Sequence, residues 1–401
     1  MLSENSLESL AQPIIERQEE INVYVLKKLA KQIKDIGELS PSTIDRLRFM
    51  LKSGDDAQLV NRALAQYSGI QEQEIQKLIY NVAKDAYIDA KPFYDYTETP
   101  YIPFEENTPL QQIIQATARA TAETYRNISN TRAFQLSYSS TPLSIADTYK
   151  HVTDRAIQAV TQNTVTYTEA IRSTIQELAN SGMQQVVWRP DSDRPYTRRL
   201  DSAVRQTVLD GIRDINQKVQ DEVGRQFGAD AVEITVHQFP APDHAPIQGH
   251  QFSKTEFDKL QNGQDFEDLK GNKFSGIERA IGMWNCRHFV FSIMQGAAPN
   301  YTQEQLDNIL KRNEAGYTLA NGKHLTMYDC TQHQRSYELS IRKAKDGQIM
   351  AKTAGDNDLA IKYQKKINEL TQQYTLFSKK CGLNVKGKNL YVSGYKSIKI
   401  I

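Results

Sequence analysis

Cysteine is scarce in this chain: 401 residues hold three, Cys286, Cys330 and Cys381. So sparse and odd a set argues against a disulfide framework. Long apolar runs are missing too. No stretch approaches the roughly 20 residues needed to cross a bilayer, so no membrane is expected among the partners. The opening run MLSENSLESLAQPIIERQEE has neither the basic start nor the apolar stretch of a signal peptide. The expectation is a protein made and kept in a cytoplasm, or in a particle assembled there. Internal repeats and low-complexity tracts are absent.

The net charge is only +1, but it is unevenly spread. From Arg342 to the end, thirteen Lys or Arg stand against four Asp or Glu, a local excess of nine. Arg342, Lys343, Lys345, Lys365 and Lys366 are therefore candidate contacts to nucleic acid or to an acidic protein surface. The alternative is a solvated set of helix faces.

The length suffices for two or three domains, each with its own core. The first half reads as successive helices. Pro13 suits a first helical turn, with Ile14, Ile21, Val25 and Leu29 behind it at helical spacing. Ser40-Pro41-Ser42 punctuates. Further helices fit Ile44 to Leu51, Leu59 to Tyr67 and Gln71 to Ala90, the last stopped by Lys91-Pro92. Residues 91–107, KPFYDYTETPYIPFEEN, mix prolines, aromatics and acids without a helical period. They read as an extended connector, either a linker or a segment lying along another subunit. Helix resumes at Pro109. Ser144-Ile-Ala-Asp147 carries a capping-box pattern and opens a helical stretch to about Asn180, broken near Thr161. Its Thr, Gln and Ala content suits a bundle or a partner surface more than a monomer core.

RPDSDRP, residues 189–195, marks a boundary. A helix of about 25 residues follows, striped by Leu200, Val204, Val208, Ile212, Ile215, Val219 and Val223, with Gly228 as cap. Ala231 to His237 alternates like a strand. Short Gly- and Pro-broken segments lead to about Asn300. Three helices then fit about 303–314, 325–353 and 357–380, with Gly382 as cap and a short strand at Leu390-Tyr-Val. The fold class expected is α+β and predominantly α-helical. It divides into an N-terminal helical region (1–90), the connector (91–107), a helical region (108–188), a small mixed domain (189–301) and a basic helical region (302–401).

That mixed domain concentrates the unusual chemistry. Of the candidate histidines His237, His244, His250, His288 and His324, four fall within residues 237–288, together with Cys286. His237, His244, Cys286 and His288 offer three imidazoles and a thiol, enough for a tetrahedral zinc site that would clamp a loop-rich domain. Cys-x-His is not the usual zinc spacing, and a metal-free polar cluster that pins the loops is the competing reading. A catalytic Cys/His pair is the third. Against it, Cys286 and His288 have no evident orienting group, and Asp243 is placed no better than several other acids.

HAPIQG, then Phe252, then Gly282-x-Trp284-Asn285-Cys286-Arg287-His288 and Gly296, resembles the signature of the phage minor capsid protein 2 family. The likeness continues in register through Tyr301-Thr-Gln-Glu-Gln-Leu306 and Tyr328-Asp-Cys-Thr-Gln-His-Gln-Arg335. It then takes in Glu338, Ile341-Arg342, Lys345, Phe377, Gly382-Leu383 and Tyr391-Val-x-Gly394. It covers roughly residues 185–395. The helix from Arg199 to Ile215 fits the family as well; the first 180 residues share only helical character. Ala241 stands where an arginine is expected, Ile247 where an aromatic is, and Cys330 replaces an alanine.

The resemblance implies a structural virion protein and no enzyme. It would lie in the head interior near the portal and be assembled in the bacterial host cytoplasm. Its roles there would be in head morphogenesis, DNA packaging or DNA delivery. Its partners would be the portal protein, other head proteins (capsid or scaffold) and packaged DNA. Gln248, Gly249, Trp284, Asn285 and Arg287 would form a structural motif around the cluster, and zinc is the one cofactor the residues suggest. The alternatives are a metal-dependent nuclease or toxin-like effector using the His/Cys cluster, and a general nucleic-acid-binding protein.

Overall fold

The computed structural model describes residues 4–37, 43–96, 98–137, 139–161, 167–187, 195–283, 286 and 288–399. Helices dominate. They are α1 (Glu4–Gly37), α2 (Thr43–Asp89), α3 (Lys91–Tyr96), α4 (Thr108–Asn130), α5 (Ile145–Thr161), α6 (Tyr167–Ser181), α7 (Leu200–Gln226), α8 (Lys254–Gln261), α9 (Gln303–Ala315), α10 (Met327–Ala354) and α11 (Asn357–Lys380). The strands are short: β1 (Arg132–Phe134), β2 (Leu143–Ser144), β3 (Gln184–Val187), β4 (Tyr196–Arg199), β5 (Ala231–Ile234), β6 (Gln251–Ser253), β7 (Phe266–Glu267), β8 (Lys273–Phe274), β9 (Val290–Ile293), β10 (Tyr317–Thr318) and β11 (His324–Leu325). The architecture is a predominantly α-helical α+β fold, as the periodicity indicates.

Several expectations need correction. Residues Thr43 to Asp89 form one 47-residue helix in place of three. Gly54 and Gly69 sit inside it at exposed positions. Each costs about 1 kcal/mol against alanine, too little to break a helix whose Val60, Leu64, Ile75, Ile79 and Val82 are buried. Pro13 lies within α1 and not in its first turn, at the loss of one backbone hydrogen bond. The connector is not extended throughout: α3 covers Lys91–Tyr96, and Phe104–Glu106 form a 3-10 turn. Residues 108–188 hold strands as well as helices. Leu390 closes a second 3-10 turn, Gly387–Leu390, and Tyr391-Val392 form no strand. The Ser-Pro-Ser punctuation, the break after Thr161 and all but the last residue of RPDSDRP lie outside the described residues.

The chain forms two compact units, neither of which coincides with one stretch read from the sequence. One comprises Met1–Ala11, Glu74–Ala122 and Gln206–His333; the other comprises Gln12–Gln73, Glu123–Arg205 and Gln334–Ile401.

Among the described residues of the first unit, two packed clusters matter for the site and its surroundings. One is aromatic: Tyr94 packs edge-on against Tyr87, Tyr101 and Phe227, with centroids 5.9, 5.2 and 4.8 Å away. Tyr87 donates to the Ile102 carbonyl at 2.9 Å. The residues that look like connector thus fold onto their own aromatic rings. The other core is built on an antiparallel sheet of order β6-β5-β9. Its members include Val232, Ile234, Ile247, Phe252, Leu260, Phe266, Ile281, Cys286 and Val290. All four β5 residues are buried, because β5 is the central strand. Gly228 ends α7 with φ +69°, and the Ala229 N–H bonds the Gly224 carbonyl at 2.9 Å, satisfying a helix-end acceptor. Gly224 meets β9 so closely that a Cβ there would collide with Ser292.

The second unit contains the sheet β2-β1-β3-β4 and most of α5, α6, α10 and α11. Ser144 caps α5 as expected, its Oγ accepting from the Asp147 N–H at 3.1 Å. Its interior holds a buried ion network. Arg199 reaches Asp201 at 3.2 Å and Asp346 at 3.1 Å, while Arg342 reaches Asp201 at 2.6 Å and Glu19 at 3.4 Å.

Candidate functional site

Two loops and one helix of the first unit build the site. After β5 the chain turns through residues 238–249, which bring His244 and Gln248 inward. Gly249 takes φ +75°, a backbone state that glycine alone adopts freely. Its N–H bonds the Ile234 carbonyl at 2.9 Å and closes the turn. The segment leading into β9 carries Cys286 and His288, and α7 holds it from behind. Arg213 donates to the Cys286 carbonyl at 2.9 Å; Gln217 accepts from the Val290 N–H at 2.7 Å and donates to its carbonyl at 2.9 Å.

His244, Cys286 and His288 converge at 1, 5 and 4% exposure. Cys286 Sγ lies 3.6 Å from His244 Nδ1 and 3.5 Å from His288 Nδ1. One potential ligand atom from each residue falls within a 4.8 Å cluster. The outer nitrogen of each ring is also engaged. His244 Nε2 is 2.7 Å from the Arg279 carbonyl, and His288 Nε2 is 3.3 Å from Gln248 Oε1. That same Oε1 accepts from the His237 N–H at 2.8 Å, which fixes the amide's orientation. Asp243 grips Arg279 through both carboxylate oxygens, at 2.9 and 3.1 Å.

The electrostatics are uneven across the trio. Burial pushes the His244 imidazole down, but the bonds to Cys286 and the Arg279 carbonyl outweigh it and leave the group above its ordinary value. For Cys286, burial is outweighed by hydrogen bonding from His244 and the Gly282 backbone, so the thiol lies below its usual range. Burial, and then the neighbouring His237 and His244, press His288 down to about 2, which keeps it neutral.

His237 does not join the trio's ligand atoms. It is half-buried, and its ring stands edge-on to His288 with centroids 4.4 Å apart. His250 faces elsewhere, bonding Asp268 at 2.7 Å, and His324 is exposed against the Glu314 carbonyl. Gln248 and Gly249 perform the structural work just described, whereas Trp284, Asn285 and Arg287 lie outside the described residues. Arg213, Gln217 and Arg279 escape sequence reading, since nothing in their local spacing separates them from any exposed polar residue of a helix or loop.

Two chemistries fit the arrangement: a hydrogen-bonded knot and a nitrogen–sulfur ligand set for a soft cation. A nucleophilic Cys/His pair fits less well. His244 Nε2 is held by the Arg279 carbonyl at 2.7 Å, with the Asp243 carboxylate farther off at 3.6 Å, and the three side chains are buried from solvent. A cavity of about 310 Å³ in the same unit borders Gln248 and His250 but none of the three.

The basic candidates of the second unit fare differently from one another. Arg342 is committed to Asp201 and Glu19. Lys345 donates to the Leu390 carbonyl at 2.5 Å and lies 4.6 Å over the Tyr395 ring. Burial lowers the pKa of Lys343 and of Lys345. Lys365 and Lys366 are exposed on α11.

Comparison with known proteins agrees with the motif reading. No curated protein and no solved structure matches the chain. The family model described as phage minor capsid protein 2 matches residues 2–378. That span includes the whole His/Cys cluster and most of both units, so the chain belongs to the phage minor capsid protein 2 family.

Proposed function

We propose that this minor capsid protein is a non-catalytic component of the phage head, held in the interior near the portal. There it assists head assembly, DNA packaging or DNA delivery. The observation that carries this reading is the family match along nearly the whole chain. The site supports it: Cys286 is packed into a hydrophobic core, His244 and His288 are buried beside it, and together they cross-tie two loops, which is the work of scaffolding. Exposed Lys365 and Lys366 add a place where packaged DNA would be held through its phosphates, without regard to sequence.

Cross-linking of assembled heads followed by peptide mass spectrometry tests the location. Cross-links to the portal protein are expected, and cross-links confined to outer shell proteins would contradict it. A parallel incubation with duplex and single-stranded DNA plus zinc, magnesium or manganese should show no cleavage. Cleavage abolished by His244→Ala would favour an enzyme.

A further inference from the structure

We propose that Nδ1 of His244, Sγ of Cys286 and Nδ1 of His288 bind one zinc ion, which clamps the turn after β5 to the segment leading into β9.

The first support is distance. With Zn–S about 2.3 Å and Zn–N about 2.0–2.1 Å at tetrahedral angles, sulfur and nitrogen ligands stand about 3.5–3.6 Å apart. The two separations here are 3.5 and 3.6 Å.

The second is an accounting of protons. Gln248 Oε1 must accept, because the His237 N–H donates to it. His288 therefore presents Nε2–H to Gln248, and its Nδ1 carries a lone pair. The Arg279 carbonyl likewise demands Nε2–H from His244, so a neutral His244 also turns a lone pair toward the sulfur. One thiol proton cannot serve two such nitrogens. Moving that proton to His244 makes an imidazolium–thiolate pair, but then the His288 lone pair faces an anionic sulfur inside a hydrophobic core. A cation shared by all three atoms satisfies every one of them.

The third support lies one layer out. Metal-bound histidines nearly always donate their outer N–H to a carbonyl or carboxylate, which orients the ring. Both rings do so here. A buried set of two imidazoles and a thiolate favours zinc over harder cations. Binding displaces the thiol proton to solvent and forms the Zn–S bond without oxidation or reduction. His237 is not a ligand in this assignment, so the fourth position is left to water or another small exogenous ligand.

The test uses the full-length chain, stripped with a chelator and titrated with zinc against a chromogenic competitor. One equivalent per chain is expected. Cobalt(II) in place of zinc should give a thiolate-to-metal charge-transfer band that Cys286→Ser abolishes. His237→Ala should keep the equivalent. Gln248→Ala should weaken binding about 10- to 100-fold, and His288→Ala should weaken it more. Wild-type protein that takes up no zinc overturns the inference whether or not any variant folds. A cobalt spectrum without sulfur character does the same, as does loss of the site in His237→Ala with retention in His288→Ala. A metal-free protein still found beside the portal would sink this inference alone and leave the proposed function standing.

Discussion

Asp268 shows how much a single side chain can organise near the site. Its carboxylate accepts from the backbone N–H of Lys270 and Asn272 at 2.9 and 2.8 Å, from Asn272 Nδ2 at 2.7 Å, and bonds His250 at 2.7 Å. Burial alone would raise its pKa, but those bonds outweigh it and hold the group below its ordinary value. A carboxylate depressed in the folded state adds stability above its unfolded pKa of about 3.9, and that stability is lost as pH falls through the folded value. Unfolding followed by urea at a series of pH values should therefore steepen in its acid dependence below about pH 4, and Asp268→Asn should flatten that limb. Gly249 supplies a second residue-scale expectation. With φ +75° and with Leu306 and Val236 filling the space a Cβ would take, Gly249→Ala should destabilise the first unit. The left-handed backbone alone costs about 1–2 kcal/mol, and the crowding adds to it. A lowered urea midpoint would register both. An unchanged midpoint would mean that the turn closing the site is not under this constraint.

At the scale of elements, the buried network of the second unit joins α1, β4, the start of α7 and α10 through Glu19, Arg199, Asp201, Arg342 and Asp346. Breaking a buried ion pair strands its partner, at about 3–5 kcal/mol. Arg199→Met should cost that much in chemical denaturation and leave Asp201 and Asp346 undercompensated. Asp201→Asn should cost a similar amount, because Asp201 is the carboxylate shared by Arg199 and Arg342 and the one held below its ordinary pKa, while burial raises Glu19 and Asp346.

The same scale shows what sequence can and cannot disclose. Helices α7, α9, α10 and α11 are legible because their apolar stripes, caps and glycines agree. The four-stranded sheet of the second unit is not legible. Its strands run two to four residues, too short for an alternation to emerge from a polar background. The convergence of His244, Cys286 and His288 follows from clustered residue types. The histidine left out, His237, stands at the end of a strand run that stops three residues earlier, at Ile234, so its backbone direction was open. The basic excess misleads in part, since the count from Arg342 onward cannot distinguish a cation on the surface from one bonded inside.

On the scale of the whole molecule, membership of the minor capsid family implies association of this mainly helical protein with other phage head proteins, and DNA is the partner proposed in addition. If Lys365 and Lys366 contact phosphates, the duplex-binding constant should fall with salt. Neutralising both should then reduce the log–log slope by about 1.8, at about 0.9 per contact. An unchanged slope would remove DNA from that face of α11. The more basic question is whether the protein is part of the particle at all. Quantitative mass spectrometry of purified virions and procapsids answers it most directly. The expected result is a reproducible low copy number in both, retained after the particles are washed at high salt. Absence from both would contradict the structural role itself, whatever the protein binds in isolation.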